Sequence, residues 1–183
     1  MNLIAAADLQ FDLYLAGIRS PFFVSFFKGI TWLGNEFLVV ALVSIACALL
    51  WRALPSRAYA LGLAAAVFGA GGTTYILKYL VGRARPDGII PAVVESSPSF
   101  PSGHATLSLA LYGFTAYFLC KQFPEKKPLI LAAATVLILI IGFSRLYLGA
   151  HFPTDVLAGY VVGGIWIFIG VRITRIFSSR QNV

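Results

Sequence analysis

Charged residues are scarce in this sequence: Asp, Glu, Lys and Arg together make up 11% of its 183 residues, whereas soluble domains contain about a quarter. Hydrophobic residues make up 59% of the chain, and the mean hydropathy is +0.86. This composition excludes an ordinary soluble domain and indicates an integral membrane protein. The length favours a single domain covering residues 1–183.

Cysteine is nearly absent as well. The two cysteines, Cys47 and Cys120, fall far apart inside apolar runs, so each is interpreted as a small buried apolar residue. Neither has the neighbours that metal-binding spacings require, and the sequence predicts no metal and no cofactor. The chain also lacks a basic region ahead of its first apolar run, because its first cation is Arg19. No cleavable signal peptide is therefore expected.

Acidic residues number only 7 against 14 Lys and Arg, which gives a formal net charge of +7. A basic balance can indicate a nucleic-acid partner, but that requires a basic face on a soluble domain. Here the cations sit in short loops between apolar runs, which is the pattern that membrane topology produces. The expected surroundings are therefore membrane lipids, with no nucleic acid and no evident obligate protein partner.

Five apolar runs approach the roughly 20 residues that a helix needs to cross a bilayer. They predict an all-α polytopic transmembrane helix bundle with its core at about residues 35–177 and spans at about 37–51, 58–80, 102–119, 129–143 and 156–173. The N-terminal region, residues 1–34, differs because Asp8, Arg19 and Lys28 interrupt its apolar runs and Pro21 breaks any helix there. We expect it to form two amphipathic helices lying in the interface, with a distorted sixth span as the alternative.

Loop charges predict the orientation of these spans. Two loops and the C-terminal tail hold most of the cations, and with five spans all three lie on one side, which the positive-inside rule makes cytoplasmic. These cations are Arg52, Arg57, Lys121, Lys126, Lys127, Arg172, Arg175 and Arg180. The C-terminus is therefore expected in the cytoplasm, and the remaining loops are expected outside.

The outer loops should be poor in charge under this topology, yet they are not. Seven ionisable residues map to the outer ends of spans: Lys78, Arg83, Arg85, His104, Arg145, His151 and Asp155. Because charged groups at membrane depth are costly, such residues indicate a functional site by default.

Three of these cations, Lys78, Arg85 and Arg145, could surround one phosphate group. Arginine forks match phosphate oxygens, and lysine adds a point charge. Ser102 and Gly103 come directly before an apolar helix, where serine is a favoured N-cap and glycine lets the backbone approach a ligand. The free N–H groups at that helix N-terminus would offer a further seat for phosphate.

The remaining groups suit phosphoryl transfer. His151 and Asp155 are four residues apart at the start of the last span, where a carboxylate can hold the imidazole in one tautomer and stabilise its charged form. His104 could protonate a leaving oxygen. Residue chemistry alone leaves two nucleophiles open, His151 itself or an activated water.

Individual residues also have ordinary structural explanations. A single arginine at a span end usually extends to the head groups, and this is the expected role of Arg83. Gly159 and Gly163 form a pair of small residues typical of helix packing. The same interpretation applies to Gly69, Gly71 and Gly72 in the second predicted span. Such explanations account for single residues but not for the whole charged set on one face.

Three blocks of this sequence resemble the type 2 phosphatidic acid phosphatase (PAP2) superfamily, which includes bacterial lipid phosphatases and vanadium haloperoxidases. The family motifs are Lys-x6-Arg-Pro, Pro-Ser-Gly-His and Ser-Arg-x5-His-x3-Asp, and all three match in order without a substitution. The matching positions are Lys78, Arg85, Pro86, Pro101, Ser102, Gly103, His104, Ser144, Arg145, His151 and Asp155. They lie in a little under half of the chain.

The resemblance implies a role for each matching position. Phosphate would be bound by Lys78, Arg85 and Arg145, together with Ser102 and the backbone of Gly103. No metal is implied, since the cations already neutralise the phosphate.

The resemblance also implies the chemistry. His151 would attack phosphorus to give a phosphohistidine, and Asp155 would orient and polarise His151. His104 would protonate the leaving oxygen and then activate water. Supporting roles would fall to Pro86, Pro101 and Ser144.

The function implied is that of a metal-independent membrane phosphatase acting on the phosphate or diphosphate end of a lipid. It would be a multi-pass protein of the bacterial inner membrane, with its site facing the periplasm or exterior. Undecaprenyl diphosphate is slightly favoured as substrate, ahead of phosphatidylglycerol phosphate, phosphatidic acid and a lipid A phosphate.

Two alternative functions stay open: a lipid phosphotransferase using the same phosphohistidine, and an anion transporter or channel. The second gives no reason for the His–Asp spacing. Bacterial relatives typically have six spans, so this chain is expected to be a compact variant or a domain of a longer protein.

Overall fold

The computed structural model describes residues 3–53, 57–87 and 91–179, and all of the regular structure in these ranges is helical. The all-α prediction is confirmed. The α-helices are α1 Leu3–Gly17, α2 Pro21–Thr31, α3 Glu36–Ala53, α4 Ala58–Val81, α5 Gly103–Ser108, α6 Phe114–Gln122, α7 Lys127–Tyr147 and α8 Pro153–Ser179. A π-turn, Leu109–Gly113, joins α5 to α6, and single 3₁₀ turns, Trp32–Gly34 and Pro124–Lys126, precede α3 and α7.

Three helices in the described ranges are long and apolar enough to cross a membrane: Ala58–Val81, Pro124–Tyr147 and Pro153–Ser178. A fourth crossing exists if Pro21–Gly34 and Glu36–Arg52, which meet at a bend of 42°, form one broken span. The predicted span at 102–119 is helical, but the π-turn divides it into shorter elements. The chain is therefore an integral membrane protein with three or four candidate spans, and the five-span topology stays a prediction.

The N-terminal region forms two helices that pack on the bundle. Pro21 is the first residue of α2, and the hydroxyl of Ser20 caps that helix by accepting from the backbone N–H of Phe23 at 3.3 Å. Three residues of α1 are buried: Asp8, Asp12 and Leu15. Phe27 of α2 lies against Tyr147 of α7, with ring centroids 4.8 Å apart. Placement of these helices in the membrane interface remains a prediction.

Helices α4 and α8 approach closely because glycines leave room between their backbones. A Cβ on Gly62 would lie 2.6 Å from the carbonyl oxygen of Gly170, and a Cβ on Gly69 would lie 2.2 Å from the ring of Trp166. The packing interpretation therefore holds for Gly69. It is wrong for Gly72, where an added Cβ meets nothing within 4 Å.

A second close approach holds the start of α5 against α8. A Cβ on Gly159 would lie 2.7 Å from the carbonyl oxygen of Ser102, and one on Gly163 would lie 2.8 Å from that of Thr106. The packing interpretation of this glycine pair is confirmed. The Ser102–Gly103 turn is thereby fixed on the helix that also carries Asp155.

Two glycines in the left-handed conformation end the helices that carry Lys78 and Arg145. Gly82, with φ of 60°, ends α4, and its N–H donates to the carbonyl of Lys78. Gly149, with φ of 70°, follows α7, and the next N–H, that of Ala150, donates to the carbonyl of Arg145. Each helix therefore ends within one turn of the cation that it carries.

Candidate active site

A cavity of about 410 Å³ lies where the ends of α4, α5 and α7 meet the connecting loops. Six of the predicted site residues line it: Lys78, Arg85, Gly103, His104, Arg145 and His151. The structure thus brings together residues from all three sequence blocks, although Lys78 and His151 are 73 positions apart in the sequence.

Two arginines of the cavity converge on one acidic side chain. Arg145, of which 1% is exposed, donates from Nη2 to Oε1 of Glu95 and from Nη1 to the hydroxyl of Thr31 at 2.8 Å. Nη2 of Arg85 lies 4.0 Å from the other oxygen of Glu95. The two guanidinium groups are therefore positioned to share a single anionic group. The buried Nε of Arg145 has no hydrogen-bond partner among the residues that the structure describes.

Backbone carbonyls hold the other cationic groups in place. Arg85 donates from Nε to the carbonyl of Ser97 at 2.8 Å and from Nη1 to the carbonyl of Ala150 at 2.7 Å. The ammonium of Lys78 donates to the carbonyl of Pro98. The loop that leads into α5 thus orients both side chains from one side.

His151 is buried, and its two ring nitrogens face different partners. Nδ1 lies 3.5 Å from Oδ2 of Asp155 and 3.4 Å from the hydroxyl of Ser99. Nε2 lies 3.4 Å from Nη1 of Arg85, on the cation-lined side. These neighbours favour the tautomer with its hydrogen on Nδ1, which leaves the Nε2 lone pair directed toward the cations.

Burial lowers the pKa of His151 to about 4, although the adjacent carboxylate of Asp155 opposes this shift. The imidazole is therefore neutral at neutral pH. A neutral imidazole has the lone pair that a nucleophile needs.

Asp155 is completely buried, and both of its oxygens accept hydrogen bonds. Oδ2 accepts from the hydroxyl of Ser99 and from the backbone N–H of Phe152 at 2.9 Å, and it is also the oxygen nearest His151. Oδ1 accepts from Nη1 of Arg83 at 2.7 Å. The carboxylate is thus held in one orientation toward the histidine.

His104 and Ser102 lie at the start of α5 in different surroundings. His104 is half-buried and lines the cavity, and a Cβ on Gly34 would lie 3.3 Å from its Cβ and Cδ2 atoms. Ser102 is buried, does not line the cavity and makes no side-chain cap, so the expected N-cap hydrogen bond is not formed. Its N–H instead donates to the carbonyl of Asp155 at 3.0 Å.

The three supporting residues of the motifs are buried beside the cavity rather than in its lining: Pro86, Pro101 and Ser144. Ser144 donates to the carbonyl of Ile141, one turn earlier in α7. Its contact is local to the helix, and a supporting role stays a prediction.

Comparison with known families decides what kind of protein carries this cavity. A family model described as the PAP2 superfamily matches residues 58–178, which is more than half of the chain. The chain belongs to the PAP2 superfamily. The resemblance predicted from the three motifs is thereby confirmed.

Several relatives are similar in sequence to this PAP2 protein along most of its length. It is 35% identical over 178 residues to phosphatidylglycerophosphatase B of Bacillus subtilis, which covers 92% of this chain and 83% of the relative. The crystal structure of a transmembrane PAP2 type phosphatidylglycerolphosphate phosphatase from Bacillus subtilis superposes with a TM-score of 0.87 at 32% identity, over 96% of this chain and 88% of that one. Lipid A 4'-phosphatase of Bacteroides thetaiotaomicron is 29% identical over 92% of this chain and 78% of its own.

One charged residue of this PAP2 protein was misinterpreted from its sequence. Arg83 does not simply extend toward head groups, because it forms ion pairs of 2.7 Å with both Asp8 and Asp155. The available signal was Asp8 itself, since a carboxylate in an apolar helix needs a buried cationic partner.

Two further residues beside the PAP2 motifs were not predicted. Ser99 contacts both His151 and Asp155, and only its closeness to the Pro-Ser-Gly-His block could have suggested it. Glu95 lies in an irregular segment with no periodicity to mark it, so no signal in the sequence pointed to the cavity.

Proposed function

We propose that this PAP2 protein removes phosphate from the phosphate or diphosphate end of a membrane lipid through a phosphohistidine intermediate. Its coarse function, a membrane lipid phosphatase of the PAP2 type, is that of the family and its relatives. The observation that carries the finer proposal is the cavity, whose lining combines Lys78, Arg85 and Arg145 with His151 and in which Nε2 of His151 lies 3.4 Å from Nη1 of Arg85.

In the first step, Nε2 of His151 attacks phosphorus. The P–N bond forms while the bond from phosphorus to the leaving oxygen breaks. His104 gives its proton to that oxygen, which departs as a lipid alcohol or, from a diphosphate, as a lipid monophosphate. Burial and the nearby cations lower the pKa of His104, so this step requires the negative charge of the bound phosphate to raise it. Lys78, Arg85 and Arg145 hold the negative charge of the equatorial oxygens, as Arg85 and Arg145 already do for the carboxylate of Glu95.

In the second step, water attacks the phosphohistidine. His104, now neutral, takes a proton from that water, the P–N bond breaks and inorganic phosphate leaves. Nδ1 of His151 keeps its hydrogen throughout, so the cationic ring of the intermediate has the carboxylate of Asp155 beside it. The balance is one lipid phosphate and one water in, and one lipid product and one phosphate out.

An apolar groove supports a lipid substrate. A second cavity of about 450 Å³ shares Lys78 and Glu95 with the first and extends between α3 and α4. Its apolar lining is made by Val40, Val67, Phe68, Gly71, Gly72, Tyr75, Tyr79 and Leu107. A phosphate held at Lys78 therefore has a continuous apolar path for its tail.

The named activities of relatives guide the choice of head group. One relative is a phosphatidylglycerophosphatase and another is a lipid A phosphatase, and neither name favours undecaprenyl diphosphate. We therefore put phosphatidylglycerol phosphate first in any substrate comparison and keep undecaprenyl diphosphate, phosphatidic acid and a lipid A phosphate beside it.

The bacterial relatives support a location in the bacterial inner membrane. Loop charge supports an orientation with the cavity on the periplasmic or outer side. The cations of the loop after α6 and of the C-terminal part of α8 lie at the opposite ends of their helices from His151. The positive-inside rule then makes the C-terminal end cytoplasmic.

The test is a substrate panel assayed with purified wild type and His151→Ala. We expect faster phosphate release from the lipid phosphates than from glycerol 3-phosphate, and a loss of at least about 10³-fold in His151→Ala, as for other removed nucleophiles. Labelled substrate should leave an acid-labile phosphate on the wild type and none on the variant. Equal rates on lipid and water-soluble phosphates would defeat the lipid part, and a fully active His151→Ala would defeat the mechanism.

The same phosphate-release assay tests whether the protein needs a metal. We propose that Lys78, Arg85 and Arg145 supply the positive charge that a metal provides in other phosphatases. A chelator should leave turnover unchanged, and vanadate should inhibit by resembling five-coordinate phosphorus. Loss of activity with chelator, restored by a divalent cation, would overturn this part of the proposal.

A further inference from the structure

One guanidinium group connects the carboxylate behind His151 to the first helix of the protein. Arg83 donates from Nη1 to Oδ1 of Asp155 at 2.7 Å and from Nη2 to Oδ2 of Asp8 at 2.7 Å. Asp155 is completely buried and 3% of Asp8 is exposed, while Arg83 retains 25% exposure. The two acids therefore clamp a cation that reaches them from the loop after α4.

Asp8 also holds the start of α8. Its Oδ1 accepts from the backbone N–H of Thr154 at 3.2 Å, and its Oδ2 accepts from the hydroxyl of the same residue. That hydroxyl accepts in turn from Nη1 of Arg83 at 2.6 Å. An N–H in the first turn of a helix has no partner inside the helix, so a carboxylate from another element can fix the helix there. Asp155 is the next residue along α8.

The ring of Phe152 completes the clamp. The guanidinium carbon of Arg83 lies 4.2 Å from its centroid, which is a cation–π distance. The backbone N–H of Phe152 donates to the Oδ2 atom of Asp155 that faces His151. Arg83 thus contacts the segment around the catalytic carboxylate on several sides at once.

The clamp matters because the carboxylate of Asp155 is a buried charge. A buried carboxylate is costly unless a cation and hydrogen bonds compensate it, and a neutral His151 does not supply that cation. Arg83 forms its ion pair through Oδ1 of Asp155, which leaves Oδ2 to orient the imidazole.

We propose that Arg83 and Asp8 are positioning residues for phosphoryl transfer: they hold the Asp155 carboxylate against His151 and so tie the reactivity of the imidazole to helix α1. The inference rests on the proposed role of His151. Neither residue touches the cavity, so their effect passes through Asp155 to the chemical step rather than through phosphate binding.

Turnover of a lipid phosphate by Asp8→Asn, Arg83→Gln and Arg83→Lys tests the proposal. We expect kcat to fall roughly 10- to 100-fold in Asp8→Asn and Arg83→Gln, the range found for residues that orient a catalytic group from behind. KM should change less than threefold. Arg83→Lys keeps the charge and should recover part of the loss. Because both side chains act on the same carboxylate, the double variant should lose less than the product of the two single losses.

Asp12→Asn is the matched control. Asp12 lies one turn after Asp8 on the same helix, is completely buried, and has no hydrogen-bond partner among the described residues. Its substitution removes a buried acid of α1 that makes no hydrogen bond to the clamp, although its charge acts on Asp8, Asp155 and Arg83. We therefore expect kcat to fall much less than in Asp8→Asn. Thermal unfolding of each variant shows whether the fold survives.

The outcomes separate this inference from the proposed function. An inactive His151→Ala beside wild-type kcat in Asp8→Asn and Arg83→Gln overturns the clamp alone. A raised KM with normal kcat overturns it too, because it assigns the residues to binding. Equal losses in Asp12→Asn and Asp8→Asn reduce the clamp to general support of α1. An active His151→Ala removes the proposed mechanism and this inference with it.

Discussion

His151 and His104 are the two histidines of the chain, which makes the protonation of the proposed nucleophile measurable by itself. Because burial lowers the pKa of His151 from 6.5 to about 4, the ring should stay neutral well below the pH at which an exposed histidine is charged. In His104→Ala, nitrogen NMR of labelled histidine reports His151 alone. We expect a neutral ring at pH 5.5 with hydrogen on Nδ1, the nitrogen that faces Asp155.

The same shift affects stability with a definite sign. Between pH 6.5 and about 4 the unfolded chain binds a proton at this histidine more readily than the folded protein does, so folding stability should fall as the pH is lowered through that window. Wild type melted in detergent across this range provides an independent check. A ring that titrates at 6.5 or above in the spectra would contradict the burial argument.

Helix α8 holds the start of α5, which lines the cavity, and the glycines of α8 test the importance of that contact. Gly159→Ala places a Cβ 2.7 Å from the carbonyl of Ser102 and must push α5 away. Overpacking of this kind costs roughly 1–3 kcal/mol. We expect a lower melting temperature and slower turnover, since Gly103 and His104 move with that turn.

Gly164→Ala is the control on the same helix, because an added Cβ there meets nothing within 4 Å. Alanine favours helix over glycine by up to about 1 kcal/mol, so this variant should be as stable as the wild type or slightly more stable. Thermal unfolding and phosphate release are measured for both variants. Equal behaviour of the two would show that the α5–α8 contact does not control the cavity.

The parts of this site that are encoded within single helices could be predicted from the sequence, and the contacts between distant helices could not. Apolar length and the three motif blocks predicted most of the long helices and the residues that the cavity brings together, because each signal is local to one stretch of chain. The Asp8–Arg83 pair joins residues 75 positions apart, and no local pattern encodes that contact. The cap by Ser102 was predicted and did not form: its hydroxyl has no hydrogen-bond partner among the described residues, and its turn is packed against Gly159 of α8. The span at 102–119 was predicted as one helix because hydropathy treats it as continuous, whereas the π-turn after α5 interrupts it.

At the scale of the whole molecule, the charged cavity and the apolar groove share lining residues and form one path from the loops beside α5 to the exposed apolar side of α4. Gly72 lines the groove, and its Cβ direction is open, so a larger side chain there fills the path without straining the fold. We expect Gly72→Leu to raise KM for a long-chain lipid phosphate at least about tenfold, which corresponds to 1.4 kcal/mol. Hydrolysis of a dihexanoyl analogue, whose tails end sooner, should change little.

The expected rise in KM does not come from a loss of hydrophobic burial. A lipid tail is surrounded by apolar atoms both in the bilayer and in the groove, so the groove gains little from removing the tail from water. Blocking it acts by exclusion: the phosphate cannot reach Lys78 while the tail keeps its path between α3 and α4. Gly164→Leu, on another helix and equally open, adds the same bulk elsewhere and should leave both substrates unaffected. If Gly72→Leu slows the short and long substrates equally, the bulk disturbs the cavity itself. If it slows neither, the tail takes another route, and the groove is not part of substrate recognition.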